Sequence, residues 1–232
     1  MQHSDKPILL AFDTSTTACS VALQTAQQSY ALHENIPLLH NQRLLDMIQT
    51  VLRDAELTFS DLDAIAVGTG PGSFVGTRIA VSVAQGIALA SAKPLIPIST
   101  LQTIAQGSRT QHAATNAWVA LDAHTQQVYS QAFEWDADAQ LMAPYTPLTA
   151  CAPEDLETPW ETGCLLGDAW AVYAEKIPHP VKMQLAENWL PRATDMLTIA
   201  THQYQHEPLP NTEHVQPIYI RGNTPWRKQN MT

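Results

Sequence analysis

Apolar positions follow two rhythms along this chain. Pro7 to Asp13 is an unbroken apolar run ending in an acid, the pattern of a strand covered on both faces with a functional tip. Beyond the polar turn Thr14-Ser15-Thr16-Thr17, residues Cys19 to Leu23 alternate like the return arm of a hairpin, and Ser29 to Leu32 supply a third arm. The rhythm then lengthens. Leu44, Leu45, Ile48, Val51 and Leu52 make one apolar stripe with Arg43, Asp46, Gln49 and Arg53 opposite, which predicts a helix over His40 to Ala55. Ala64 to Val67 reads as a buried strand, Gly68 to Gly72 as a tight turn, and Phe74 to about Ala92 as a long proline-free helix with Ser73 as its cap. Leu95 to Ile98 is another short strand, and a helix follows Ser99-Thr100 to about Gln106. Strand, helix and strand from Ala64 to Ile98 call for parallel pairing through a right-handed crossover.

The polar stretch 107–115 divides the pattern into lobes 1–106 and 107–232, and the opening motif then returns. Ala117 to Asp122 is again an apolar run ending in Asp, and Gln127 to Trp135 again alternates, which suggests a duplicated core. Residues 136–160, rich in Pro and acids, read as a long connection with little regular structure. Cys164 to Asp168 predicts a strand, Ala169 to Lys176 a short helix, and Thr194 to His206 a helix capped by Thr194 or Asp195. Val215 to Arg221 is a last extended piece that could return to the first lobe, ahead of a basic end with Arg227 and Lys228.

The helix from Phe74 carries Gly76, Ala80, Ala84 and Ala88 at every fourth position, a smooth stripe that lets another helix approach closely, with Ile79, Val83, Ile87 and Ala90 on a neighbouring face. Such stripes serve either the lobe's own core or a helix–helix subunit interface. The glycine turn before it is either structural or an anion site at a helix N-terminus; no Gly-Lys-Ser/Thr follows, so it is not a P-loop. Arg78 is either a solvated surface cation or a holder of an acid. Asp13 and Asp122 either cap their own turns or face a cleft and hold Mg²⁺ or water.

Composition narrows the function classes. The chain has 232 residues, 45% of them hydrophobic and 15% charged, with a net charge of −10, which argues against a broad nucleic-acid surface of its own. Three scattered cysteines give neither a disulfide framework nor a thiolate metal site. No run resembles a membrane span or a signal peptide, and the expected place is a reducing cytoplasm. Among nine histidines, His202 and His206 have helical spacing but no acid partner. No Gly-Xaa-Ser-Xaa-Gly elbow supports acyl-enzyme chemistry.

Asp13-Thr14-Ser15, His40-Asn41 and the run Gly70-Pro71-Gly72-Ser73-Phe74-Val75-Gly76-Thr77-Arg78-Ile79 together closely resemble the TsaB (YeaZ) family. The resemblance is strong from about Ile8 to Ala105 and looser through Asp122 to the Pro-Ile-Tyr-Ile-Arg stretch at 217–221. It implies an α/β fold of the actin-like/sugar kinase/Hsp70 (ASKHA) class, with two lobes that each hold a mixed sheet flanked by helices. It also implies a part in forming N6-threonylcarbamoyladenosine (t6A) at position 37 of tRNAs reading codons that begin with adenine. In that system the paralogue TsaD transfers the threonylcarbamoyl group, TsaB pairs with TsaD or with a second copy of itself, and the ATPase TsaE joins.

Carried onto this sequence, the resemblance places the pairing surface on Leu44, Ile48, Val51, Leu52, Gly76, Arg78, Ala80, Val83, Ala84 and Ile87. Asp13, Ser15, Gly70 and Gly72 would be the contact points if ATP or ADP sat at the junction with partners; no cofactor is otherwise implied, and tRNA would be met only through the complex. The metal-binding His-Xaa3-His of the catalytic relatives falls at about Thr100 and Ile104 here, and neither residue can replace a histidine ligand. The late lobe also lacks a clear glycine-rich adenosine segment. The expected role is therefore a non-catalytic scaffold subunit with no metal. The competing readings are an ATP-dependent kinase-like enzyme using Asp13 and Asp122 and, less well supported, a metallopeptidase.

Overall fold

In the computed structural model, residues 6–124, 126–157, 159–177, 182–187 and 189–220 are described. The first sheet is built from β1 (Leu9–Asp13), β2 (Ala18–Gln24), β3 (Ser29–Asn35), β4 (Ala64–Gly68) and β5 (Leu95–Ile98), ordered β3-β2-β1-β4-β5. β1, β2 and β3 pair antiparallel, while β4 joins β1 and β5 joins β4 in parallel. The second sheet repeats this plan with β6 (Asn116–Asp122), β7 (Val128–Asp136), β8 (Leu141–Pro144), β10 (Gly163–Leu166) and β11 (Met183–Leu185), ordered β11-β10-β6-β7-β8. There β7 and β8 run antiparallel beside β6, and β10 and β11 run parallel. Two mixed sheets of one plan, flanked by helices, make the two-lobed actin-like architecture.

The apolar run of β1 is explained by cover on both faces. Leu10 and Phe12 join α1 (His40–Asp54) and α2 (Phe74–Ser91) in one core cluster, and Leu9 and Ala11 meet α5 (Ala193–His206) on the other side. Each lobe thus borrows a helix. α3 (Thr100–His112) leaves the first sheet and packs Leu101, Ile104 and Ala105 against the second, while α5 returns to the first. Where they cross, Thr110 Oγ1 donates to Asp195 Oδ1 at 3.0 Å, and a Cβ on Gly107 would lie 3.0 Å from Asp195 Oδ2.

Several sequence expectations are corrected. The lobe boundary at 106/107 falls inside α3, because Gly107 and Ser108 are in helix and Ser108 is buried. The segment 136–160 is not irregular: it contains β8, β9 (Thr149–Cys151), which pairs with β7, and a 3-10 turn at Pro153–Asp155. The helix after Asp168 is short, α4 (Ala169–Val172). Neither Thr194 nor Asp195 caps α5; its cap position is Arg192, and Ser20 Oγ of β2 accepts the Ala193 N–H at 2.8 Å. From Val215 the chain returns to α2 without forming a strand: Val215 is in the first core, Gln85 Nε2 donates to its carbonyl at 3.0 Å, and Ile218 N–H donates to Thr69 O at 2.8 Å. Arg221, Arg227 and Lys228 lie outside the described residues. Contrary to the sequence expectation, α2 is long and apolar enough to cross a membrane. It is nevertheless the crossover between two parallel strands of one sheet, with its Ala80–Ala84–Ala88 side in the lobe core.

Candidate functional site

The glycine-rich turn is closed by the loop between β1 and β2. Ser73 N–H donates to Ser15 O at 2.6 Å, and a Cβ on Gly72 would lie 2.3 Å from that same oxygen. Gly76 sits so close that its Cβ would be 2.0 Å from Thr14 O, while Thr14 Oγ1 donates to Gly76 O at 2.7 Å. Gly70, at φ +88°, gives its carbonyl to the Thr100 N–H at 2.9 Å. Only residues without a Cβ permit backbones this close. The glycines that read as either a structural turn or an anion site hold two loops together.

Asp13 is fully buried and fully engaged. Its Oδ1 accepts from the Ser15 N–H and Ser15 Oγ, both at 2.6 Å, and its Oδ2 meets Thr100 Oγ1 at 2.8 Å. Ser15 Oγ and Thr100 Oγ1 also lie 2.8 Å apart. The carboxyl and two hydroxyls thus form a ring of three oxygen–oxygen contacts, and the hydroxyls supply only two protons. A third proton would come from a protonated Asp13. Burial, which disfavours the charged carboxylate, raises its pKa against the lowering effect of these hydrogen bonds. A Cβ on Gly68 would lie 2.0 Å from Oδ2. The structure therefore places Asp13, Ser15 and Gly70 in an interior seam, with Gly72 half-buried at its edge.

Asp122, its counterpart in the second lobe, is less enclosed. Oδ1 accepts from Tyr173 Oη at 2.8 Å and the His124 N–H at 2.9 Å, and the exposed His124 ring lies 3.2 Å from Oδ2. Tyr173 is pushed up to about 12 by burial and by Asp122. The two positions matched to metal-binding histidines are both interior: Thr100 closes the Asp13 ring, and Ile104 packs on the second sheet. His202 and His206 stack at 4.6 Å, and among the described residues no group of three or more His, Cys, Asp or Glu is placed to hold a metal.

The expected pairing residues divide sharply. Ile48, Val51, Leu52, Ala80, Ala84 and Ile87 are buried in the first lobe's own core, and Gly76 is sealed under Thr14. As surface they are corrected. Leu44, also buried, together with Arg78 and Val83, lines a groove of about 410 Å³ between α1 and α2. Its other walls are Asn41, Leu45, Phe74, Val75, Ile79 and Ser82. Val75 is 64% exposed, and Leu89, farther along the same helix, 85%. Ser82, Gly86 and Ala90 form a second four-residue stripe, and this one faces outward, with nothing within 4 Å of a Cβ at Gly86. That spacing was present in the sequence. Tyr219 lies in the 217–221 stretch that the sequence flags, but its packing against Phe74 and Arg78 had no sequence signal.

With that surface in place, the relatives agree on one family. A family model described as TsaD, tRNA N6-adenosine threonylcarbamoyltransferase, matches residues 34–145. The tRNA threonylcarbamoyladenosine biosynthesis protein TsaB of Escherichia coli K12 is 35% identical across 95% of this chain and 97% of its own length. The protein of the same name from Haemophilus influenzae is 32% identical across 95% and 96%. The solved structure of YeaZ from Pseudomonas aeruginosa superimposes with a TM-score of 0.85 at 34% identity, covering 92% of this chain and all of that one.

Proposed function

Because the chain belongs to the TsaB family, with a role in t6A biosynthesis on tRNA, we propose that it is the scaffold subunit of a TsaD-type transferase. It docks that paralogue on the α1–α2 groove and does not catalyse transfer alone. The observation that carries this reading is the open apolar face of α2, where Phe74 and Val75 are exposed beside Leu45 of α1 and Leu89 is exposed farther along the helix. A face of this kind gains free energy when covered, at about 25 cal/mol per Å² of apolar surface. Thr100 and Ile104 in place of the two histidines support a supporting role over a catalytic one.

In this reading a second copy of the chain covers the same face when the paralogue is absent, a TsaE-type ATPase joins the pair, and tRNA is met through the complex. Any ATP or ADP at the junction is held by groups other than Asp13 and Ser15, whose side chains bond each other and Thr100, and the Gly70 carbonyl, which accepts from the Thr100 N–H. Three unpaired cysteines suit a reducing cytoplasm.

The test is threonylcarbamoyl transfer to tRNA by this chain, by the transferase, and by both, with the donor-making enzyme and the ATPase supplied throughout. Activity only where both are present supports the reading, and activity with this chain in place of the transferase overturns it. Gly86→Arg adds a bulky side chain to open surface; it is expected to leave the fold intact and abolish co-purification.

A further inference from the structure

We infer that Arg78 and Tyr219 form a carboxylate-binding corner on the rim of the α1–α2 groove, and that an acidic side chain of the docked partner completes it. The inference rests on the groove being the docking face. Arg78 Nε donates to Tyr219 Oη at 2.8 Å, its guanidinium carbon lies 3.5 Å from the Phe74 ring centroid, and the Tyr219 centroid is 5.5 Å away. The two aromatic rings are 6.1 Å apart. A long, rotamer-rich side chain is thus held in one pose between two aromatic rings before any partner arrives.

The rest of the fork is unspent. With Nε committed to Tyr219, the two terminal nitrogens keep their N–H groups, and among the described residues no carboxylate forms an ion pair with Arg78. Acids outnumber Lys and Arg by 22 to 12 in this chain, so an unpaired, fixed guanidinium beside an apolar groove marks a place for a carboxylate from outside. Two parallel N–H donors fit a carboxylate end-on. The partner surface is therefore an apolar helix face with an Asp or Glu at its edge.

Tyr219 is the positioning residue. It arrives on the returning C-terminal segment, anchored independently of Arg78 by buried Val215, by Gln85 and by the Ile218–Thr69 hydrogen bond. That segment fixes the direction in which Arg78 points.

The experiment titrates the separately purified TsaD-type transferase into wild type, Arg78→Gln, Tyr219→Phe, the double variant and Gly86→Arg, at low and high ionic strength. Arg78→Gln is expected to weaken binding about ten-fold at low ionic strength, with the gap narrowing as salt screens the pair. Tyr219→Phe keeps the ring and loses the hydroxyl, for a loss of about three-fold that disappears when residue 78 is already Gln. Wild-type affinity in Arg78→Gln, or an equal Tyr219→Phe loss with and without Arg78, overturns the inference. Gly86→Arg separates the two levels: if it abolishes binding while Arg78→Gln does not, only the carboxylate corner fails. If Gly86→Arg binds like wild type, the docking face itself is wrong. Thermal unfolding of each variant, expected at or above the wild-type midpoint for these exposed sites, excludes loss of fold as the cause.

Discussion

Helix α2 has two sides made from similar residues and put to opposite uses. On one side Gly76, Ala80, Ala84 and Ala88 press into the first lobe, under the β1–β2 loop and against β4. On the other, Ser82, Gly86 and Ala90 repeat the same spacing with open space above Gly86. Small residues at every fourth position state that something approaches closely. They do not state whether it comes from inside the chain or from another molecule. The difference lies in what surrounds each stripe: the parallel strands of the sheet need helix cover on both faces, and α2 as the β4–β5 crossover must give its closest-packing side to that need first.

The comparison breaks most visibly at Ala84. Its side chain is fully buried, so Ala84→Arg forces a long cation into a packed core and is expected to cost more than about 4 kcal/mol. The variant should lose its cooperative thermal transition before any binding is measured. Folded Ala84→Arg that merely fails to pair would move Ala84 to the outer side. Next in size is Gly76→Ala. The new methyl group would lie 2.0 Å from the Thr14 carbonyl, so the loop must shift; overpacking of this kind costs about 2 kcal/mol, partly offset by the better helix propensity of Ala. A urea midpoint at or above the wild-type value would remove the idea that this close approach is obligatory.

Much of this division was legible beforehand, and its misreadings have physical causes. Continuous apolar runs at β1 and β6 announced two-sided burial, and the repeated strand–acid–hairpin pattern announced two lobes of one plan. The exchange of α3 and α5 between lobes was not legible. It joins residues far apart in sequence, and its markers, Gly107 under Asp195 and Ser20 capping α5, are isolated small residues whose partners appear only in three dimensions. Asp13 was readable as a strand-end acid, but its neighbours were not: Thr100 arrives from the far end of β5. The groove was half legible, because the apolar stripe of α1 includes both Leu44, which is buried, and Leu45, which is exposed.

The sealed side also carries a pH signature. Burial raises the Asp13 pKa in the folded chain, so its contribution to stability is complete below the unfolded carboxyl pKa and is lost as pH rises through the folded value. Asp13→Asn keeps the ring without a charge: the amide donates to Thr100, Thr100 to Ser15, and Ser15 to the amide oxygen. The variant should lose less stability than wild type between acid and neutral pH, a difference of about 1 kcal/mol in urea unfolding. Identical pH profiles for the two proteins would mean that the carboxyl is not protonated within the ring.

The smallest expected effect separates the two sides most cleanly. Gly86 is inside a helix, exposed, and without a neighbour for its missing Cβ. Gly86→Ala removes backbone entropy from the unfolded chain at no steric cost, which should stabilise the isolated protein by about 0.5–1 kcal/mol, equivalent to a rise in melting temperature of about 1–4 °C. The added methyl also stands where a close-packed partner helix would lie, so affinity for the transferase should fall. The same methyl on Gly76 is expected to weaken the fold. Opposite signs of stability at two glycines of one helix, with binding lost only at the outer one, would tie each stripe to its own partner. A stabilised Gly86→Ala that binds the transferase unchanged would shift the docking face from this stripe toward Leu45, Val75 and Ile79 at the mouth of the groove.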